Sequence, residues 1–226
     1  VTDSICDHFF TTSTIANKNL AAQQVADNRI HFVGNTMIDT LYQNLDRIRK
    51  PSFWEDFNLA DGNYFLLTLH RPSNVDDAKK LQSILDAVMA STANFPIVFP
   101  VHPRTRQILN NLKVDHERLR MIDPQGYLEF IYLVKHAKGI ITDSGGITEE
   151  ATVLNIPCLT LRNSTERPET VLMGTNELIG DDLPKLALCL EKIIAGQWKK
   201  GAIPEFWDGK TSGRIVDILH SLYTKK

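Results

Sequence analysis

Short apolar runs alternate with longer amphipathic segments along the whole chain. Runs of strand length, rich in β-branched and aromatic residues, read HFFTT, RIHFVG, YFLLTL, PIVFPV, LRMID, GIITD, PCLTL and ELIG. After most of them comes a polar loop and then a helical pattern. Alternating strand and helix units of this length predict an α/β fold, in which a mostly parallel sheet carries helices on both faces.

Two segments near the end of the chain show the helical pattern clearly. In DDLPKLALCLEKIIAG the apolar positions form one stripe, with Pro184 in the first turn and Gly196 as the stop. The stripe consists of Leu183, Leu186, Ala187, Leu190 and Ile194. The last segment has apolar residues at helical spacing and predicts a closing helix near 211–223. Neither low-complexity tracts nor Gly/Ser linkers divide the chain, and GNTMIDTL, where a strand ends and a helix starts, is the expected division.

Composition excludes some classes of protein. The chain has 226 residues, of which 42% are hydrophobic and 23% charged, with a formal net charge of −2. These values are typical of a globular protein, and the missing basic excess argues against a nucleic-acid binder. Cys6, Cys158 and Cys189 are scattered and form no metal or redox motif, so we expect reduced thiols and a cytoplasmic protein. No apolar run reaches the ~18 residues of a membrane span, and we expect no membrane contact.

The loops that follow the predicted strands carry most of the chemistry. Ligands of open parallel sheets bind at the carboxyl ends of the strands. The loops at these ends are HRPSN, HPRTR, DPQGY, DSGGITEE and RNSTERPE. Charged, small and aromatic residues concentrate there, which predicts a functional edge of the sheet.

DSGGITEE has two interpretations. Asp143 and Ser144 are good N-cap residues, and early acids suit the positive end of a helix. Gly145 and Gly146 lack Cβ atoms, so their backbone N–H groups and the helix N-terminus could also receive a phosphate. At about 100° per residue, Glu150 borders the apolar face of this helix, whereas Glu149 points away. We therefore expect Glu150 to meet the hydroxyl groups of a ribose and Glu149 to face solvent.

Cationic side chains follow three of the strands. His70 and Arg71 lie just beyond one strand, and His102 and Arg104 follow the next in the same way. Arg167 precedes a proline and could clamp a phosphate with two hydrogen bonds, although a surface ion pair is an equal alternative. The other histidines, His8, His31, His116, His136 and His220, have no metal-ligand spacing, so we expect neither a metal nor a cofactor.

DPQGYLEF offers groups that could read a nucleotide base. Gln125 supplies an amide, and Tyr127 and Phe130 supply aromatic rings. Taken alone, Phe130 shares helical spacing with Leu133 and Val134, which favours a place in the core.

Taken in order, these loops resemble the UDP-N-acetylglucosamine 2-epimerase family of the non-hydrolysing type. D-S-G-G-x-x-E-E-A together with E-R-P-E carries the resemblance, which also runs from HFFTTSTIANKNL to WDGKTSGRIVDIL. It implies a glycosyltransferase-B-like fold of two domains, in which 34–226 is the UDP-binding, Rossmann-like domain and 1–33 a remnant of the N-terminal one. The chain does not begin with Met, and we expect it to be a fragment.

The resemblance also implies a role for each matched residue. Ser144, Gly145 and Gly146 would hold the diphosphate of UDP or UDP-N-acetylglucosamine, and Glu150 the ribose. Gln125 and the backbone of Phe130 would lie at the uridine, Arg167 at the nucleotide sugar, and His70 near the leaving diphosphate. A second, regulatory substrate site would use Arg71 and His102. Thr148 departs from the glutamine often seen inside the motif, a change that leaves the phosphate-facing backbone unaffected.

The implied reaction is C2 epimerisation of UDP-N-acetylglucosamine to UDP-N-acetylmannosamine by elimination and re-addition of UDP, for cell-surface polysaccharide synthesis. The family's G-T-R-P-E loop and its catalytic carboxylates belong to the N-terminal domain, so we expect the fragment alone to be inactive and the full-length protein to be a homodimer. Three alternatives stay open: a hydrolysing epimerase, a glycosyltransferase of the same fold, and a non-catalytic nucleotide-sugar sensor.

Overall fold

A computed structural model of the chain describes residues 2–112 and 117–224. Their contacts group into two compact units. One joins the described parts of Val1–Asp46 and Ile203–Lys226, and the other is Arg47–Ala202. This grouping differs from the expected boundary between residues 33 and 34. That boundary concerns the domains of a longer protein, and it stays a prediction.

Strands and helices alternate as the apolar pattern predicts. The strands are β1 (Phe9–Thr11), β2 (Ile30–Phe32), β3 (Phe65–Thr68), β4 (Ile97–Pro100), β5 (Leu119–Ile122), β6 (Gly139–Thr142), β7 (Cys158–Thr160) and β8 (Asn176–Leu178). The helices are α1 (Thr2–Ile5), α2 (Thr14–Ala22), α3 (Thr36–Asn44), α4 (Pro72–Val75), α5 (Ala78–Ser91), α6 (Pro103–Leu112), α7 (Tyr127–His136), α8 (Gly145–Val153), α9 (Pro168–Leu172), α10 (Leu183–Ile194) and α11 (Thr211–Tyr223). Each apolar run proposed as a strand overlaps one of these strands.

The unit Arg47–Ala202 is built on one six-stranded sheet in the order β5-β4-β3-β6-β7-β8. Every neighbouring pair in it is parallel. From β3 the chain moves outward through β4 and β5, and then returns to place β6 on the other side of β3. The direction of winding therefore reverses between β3 and β6, which is the point where open α/β sheets bind their ligands.

Each face of this sheet is covered by helices. Phe65 and Leu67 of β3 belong to a buried cluster that contains residues of α5 and α10, while Leu66 belongs to a second cluster with residues of α7 and α8. Alternate side chains of one strand thus enter two different cores, as expected for a sheet buried on both faces. The predicted α/β class, with a Rossmann-like parallel sheet and helices on both faces, is confirmed.

The observed stripe of α10 is close to the predicted one. Asp182 caps the helix by accepting the N–H of Lys185 at 2.9 Å, and Gly196 follows its end with a φ of +68°. The fully buried residues are Leu186, Cys189, Leu190 and Ile193. Leu183 and Ile194 of the predicted stripe pack partly against the same core.

The other unit contains a parallel pair of short strands, β1 and β2. Within it, the carboxylate of Asp39 on α3 accepts the N–H of Thr211 at 3.0 Å and that of Ser212 at 2.6 Å. These are the first two residues of α11, whose N–H groups have no partner inside the helix. Asp39 thereby fixes the closing helix to α3.

In the part of the chain that the structure describes, no helix is both long enough and apolar enough to cross a membrane.

A matched pair of helical substitutions tests the core. Leu85 of α5 is fully buried, at 0% exposure, whereas Leu188 of α10 is 59% exposed. We expect Leu85→Ala to lower the free energy of unfolding by about 2–5 kcal/mol, because it removes buried methyl groups and leaves a cavity. Leu188→Ala should change it by less than ~0.5 kcal/mol. Urea denaturation followed by circular dichroism measures both, and equal losses would contradict the assigned core.

Candidate nucleotide-sugar site

The candidate site lies where β3 and β6 end side by side. Thr68 pairs with Thr142 in the sheet register, and their hydroxyl oxygens are 2.6 Å apart. The chain leaves β3 towards His70 and Arg71, and leaves β6 towards Asp143 and the glycine loop. Parallel pairing therefore brings the HRPSN and DSGG loops together at the reversal point of the sheet.

Asp143 connects these two loops. Its side chain is fully buried, and one carboxylate oxygen, Oδ2, accepts the N–H of Arg71 at 2.9 Å and the side-chain amide of Asn74 at 3.2 Å. The ring nitrogen Nδ1 of His70 lies 2.9 Å from the other oxygen, Oδ1. The sequence suggested Asp143 as a helix cap, but this carboxylate binds the loop after β3 instead. The N-cap position of α8 belongs to Ser144, whose side chain makes no capping hydrogen bond.

His70 stands at the rim of a cavity of about 200 Å³. Its side chain is 56% exposed. The cavity is lined by Thr68, Leu69, His70, Pro100, His102, Pro124, Gln125 and Phe130. These residues come from the ends of β3, β4 and β5, so three of the five predicted loops or their flanks contribute to one pocket.

The pocket brings together residues that the sequence assigned to different tasks. His70, Gln125 and Phe130 line it together, although His70 is distant from the other two in the chain. Gln125 donates its amide to the carbonyl of Asp123 at 2.8 Å, and the N–H of Phe130 donates to the carbonyl of Gly126 at 2.8 Å. The ring of Phe130 also packs partly against the core, as its helical spacing indicated.

The glycine loop forms the first turn of α8. A Cβ at Gly146 would meet nothing within 4 Å, whereas one at Gly145 would lie 3.4 Å from the guanidinium of Arg162 and 3.6 Å from the carboxylate of Glu166. The space beside Gly145 is therefore bordered by charged groups. Thr148 donates its hydroxyl to the carbonyl of Gly145 at 2.6 Å, a local bond that a glutamine at this position would not copy.

Arg162 forms a two-pronged ion pair beside this turn. Its terminal nitrogens lie 2.8 and 2.6 Å from the two carboxylate oxygens of Glu166. These hydrogen bonds lower the pKa of Glu166 to about 2, so this carboxylate stays charged at neutral pH. The sequence motifs include both residues only as loop positions, and the pattern RNSTE alone gives no signal that Arg162 turns towards Gly145.

The prediction for Glu149 is wrong. This residue is 3% exposed, and its carboxylate accepts a hydrogen bond from Nε of Arg167. Helical periodicity identified the apolar face of α8 correctly, since Ile147 and Ala151 are buried. It did not reveal that the segment carrying Arg167 covers the opposite face, which buries Glu149 as well.

Glu150 is buried beside Tyr127 and Glu149. It is 5% exposed, and its pKa rises to about 7, chiefly because burial disfavours the charged form and also because Glu149 lies nearby. A hydrogen bond from Tyr127 opposes the rise. A carboxyl group in this state would gain from additional donors such as the hydroxyl groups of a ribose.

The two proposed regulatory residues lie in different pockets. His102 shares the pocket of His70. Arg71 lines a second cavity of about 200 Å³ with Lys80 and Arg162, and its Nε donates to the carbonyl of Asp143 at 3.0 Å.

The side chain of Arg104 and the whole of His116 lie outside the described residues. Within that description, no group of three His, Cys, Asp or Glu residues could hold a metal ion.

The raised pKa of Glu150 predicts a pH-dependent stability difference. Its carboxyl ionises near 4.5 in the unfolded chain and near 7 in the folded one, so wild-type stability falls as pH rises across this window. We expect Glu150→Gln to be more stable than wild type by roughly 1–3 kcal/mol at pH 8. The difference should shrink towards zero at pH 4, where both states are protonated.

Urea denaturation at several pH values measures this effect. Glu191→Gln, on an exposed position of α10, is the matched control and should show no such trend. A stability difference for Glu150→Gln that stays constant from pH 4 to pH 8 would contradict the assigned burial of the carboxyl group.

Comparison with known proteins identifies relatives of this chain. The family model described as UDP-N-acetylglucosamine 2-epimerase matches residues 1–220. A protein of that name from Methanocaldococcus jannaschii is 40% identical over 97% of this chain, and one from Escherichia coli K12 is 33% identical over 94%. The chain spans 62% and 60% of these two relatives.

Solved structures show the same relationship. The Methanocaldococcus jannaschii UDP-GlcNAc 2-epimerase in complex with UDP-GlcNAc and UDP superimposes with a TM-score of 0.83 over 97% of this chain and 62% of that one. The Staphylococcus aureus MnaA–UDP structure, 28% identical, gives 0.85 over 97% of this chain and 60% of its own. These neighbours are glycosyltransferase-B-like enzymes, as the sequence motifs implied. The chain belongs to the UDP-N-acetylglucosamine 2-epimerase family.

Proposed function

We propose that the chain is the UDP-binding part of an enzyme that converts UDP-N-acetylglucosamine to UDP-N-acetylmannosamine. The observation that carries the proposal is the arrangement at the ends of β3 and β6. There Asp143 holds His70 beside the N-terminus of α8, and a helix N-terminus with an adjacent imidazole suits a diphosphate. Relatives whose structures contain UDP or UDP-GlcNAc share this fold.

The proposed binding mode follows the assigned residues. The N–H groups around Ser144, Gly145 and Gly146 bind the diphosphate. The guanidinium of Arg167 adds positive charge there, and its Nε donates a hydrogen bond to the carboxylate of Glu149. Glu150 accepts the ribose hydroxyls. Gln125 and the backbone of Phe130 meet the uracil ring. The carbonyl oxygen of Phe130 suits this role better than its N–H group, because the N–H already donates within α7.

The proposed chemistry removes a proton from C2 of the sugar, and the electron pair then forms a C1–C2 double bond while the C1–O bond breaks. UDP leaves with the bonding electrons, and negative charge grows on its β-phosphate. A helix N-terminus, Arg167 and a hydrogen bond from His70 stabilise that charge. UDP then adds back at C1, and C2 receives a proton on the opposite face. The product supplies cell-surface polysaccharide synthesis.

We infer that the base that removes the C2 proton belongs to the part of the family's proteins that this chain does not span. We infer that the complete enzyme is a cytoplasmic homodimer and that the 226-residue chain alone binds UDP without turnover. The epimerase is favoured over a glycosyltransferase because H-R and T-E-R-P-E occur together in this sequence.

UDP titration tests the binding assignment. We expect Arg167→Ala and Glu150→Ala each to weaken UDP binding about 10- to 100-fold, because each removes hydrogen bonds that involve a charged group. Arg120→Ala is the control, since Arg120 lies within β5 and contacts the ring of Phe57. Isothermal titration calorimetry measures the three affinities, and unchanged binding in both site variants would refute this pocket.

Proton exchange at C2 tests the role of the chain in catalysis. In D₂O an epimerase replaces the C2 hydrogen of UDP-N-acetylglucosamine by deuterium, which NMR detects. We expect no exchange with the 226-residue chain and exchange with the longer parent protein. Turnover by the chain itself at ordinary enzyme rates would refute the inference of a missing base. Release of free N-acetylmannosamine by the parent would instead identify the hydrolysing reaction.

A further inference from the structure

The two oxygens of the Asp143 carboxylate face different groups. Oδ2 accepts the N–H of Arg71 at 2.9 Å, the amide of Asn74 at 3.2 Å and the N–H of His70 at 3.1 Å. Oδ1 lies 2.9 Å from Nδ1 of the His70 ring. The N–H of His70 also lies 3.2 Å from Oδ1, so it is shared by both oxygens, whereas Arg71 and Asn74 bind Oδ2 and the imidazole lies at Oδ1.

This geometry decides where the ring carries its hydrogen. A carboxylate accepts hydrogen bonds and cannot donate them, so a ring nitrogen 2.9 Å from Oδ1 is favoured to carry the hydrogen, which points to Nδ1 of His70 as the protonated nitrogen. A neutral imidazole carries one hydrogen, and placing it on Nδ1 leaves Nε2 as an acceptor. Within the described part of the chain, Nε2 has no hydrogen-bond partner, and the side chain is 56% exposed at the rim of the cavity.

We propose that Asp143 is a positioning residue that fixes His70 as the Nδ1–H tautomer and presents Nε2 to the ligand. A ring held in this way takes up a proton only at Nε2 and returns it at the same atom. With the nucleotide sugar of the proposed function bound, Nε2 of the protonated ring donates a hydrogen bond to the leaving β-phosphate. The identification of that phosphate rests on the proposed function, whereas the tautomer does not.

Asp143→Asn separates positioning of the ring from holding of the loop. Two N–H donors, from Arg71 and Asn74, bind Oδ2 alone and the N–H of His70 is shared by both oxygens, so we expect the amide oxygen of asparagine at the Oδ2 position. The amide NH₂ group then faces Nδ1 of His70 and can only donate to it. The neutral ring must therefore switch to the Nε2–H tautomer while the contacts to Arg71 and Asn74 persist.

NMR of the ¹⁵N-labelled chain tests this directly, at a pH where the ring is neutral. Two-bond and three-bond ¹H–¹⁵N correlations distinguish a protonated ring nitrogen from an unprotonated one, and His70→Ala assigns the signals. We expect Nδ1–H in the wild type and Nε2–H in Asp143→Asn. Asn74→Ala removes a partner of Oδ2 without touching the ring, so it should keep the wild-type tautomer.

The wild-type spectrum alone can overturn the proposal, so the test survives a variant that fails to fold. A wild-type ring that is mainly Nε2–H would refute it, as would the same tautomer in the wild type and in Asp143→Asn. A switch in Asn74→Ala equal to that in Asp143→Asn would show that loop integrity, rather than the carboxylate, sets the tautomer.

A double-mutant cycle on UDP affinity tests whether the two residues act together. We expect His70→Ala and Asp143→Asn each to weaken UDP binding by ~3- to 10-fold, and the double variant to be no weaker than the worse single variant. Multiplied effects would show that Asp143 acts independently of His70 and would overturn the coupling. If no variant changes UDP affinity while the tautomer switches as expected, the proposed ligand is wrong and the positioning role stands.

Discussion

The parallel pairing of β3 with β6 is the constraint on which the candidate site depends. It places the ends of the two strands side by side, with Thr68 opposite Thr142, and the buried carboxylate of Asp143 then joins the loops that follow. A buried carboxylate is costly unless donors surround it, and the N–H groups of His70 and Arg71 supply them. The same contacts bring the imidazole of His70 to the loop that leads into α8, whose N-terminus favours an anion.

Charge around this point is distributed among carboxylates with different partners. Glu149 is held by Arg167, and Glu166 by Arg162, so both arginines are oriented before any ligand arrives. Glu150 differs because burial and Glu149 raise its pKa to about 7, while a hydrogen bond from Tyr127 opposes the rise. Arginines that are already oriented suit a diphosphate, and a buried carboxyl group with room for further donors suits ribose hydroxyls.

Much of this could be predicted from the sequence. Apolar runs overlap all the described strands of the six-stranded sheet, and the signal is strongest in β3 and β6, which are buried along their whole length. Locating the strands also located the loops that follow them. His70, Gln125 and Phe130, which the sequence singled out, line one pocket. Glu149 was misplaced because periodicity describes one helix at a time. It carries no information about a second element, here the segment of Arg167, that covers the other face of α8.

The sequence by itself determined the fold class, the helix that begins at the glycine pair and the family motifs, since these depend on local spacing and residue type. Only the tertiary structure decided which groups meet across the strand order. His70 and Asp143 are in contact although they are 73 residues apart in the sequence. Arg162 approaches Gly145 from the end of another strand. Such pairings follow from the order in which strands assemble, and the strand order cannot be read from any single segment.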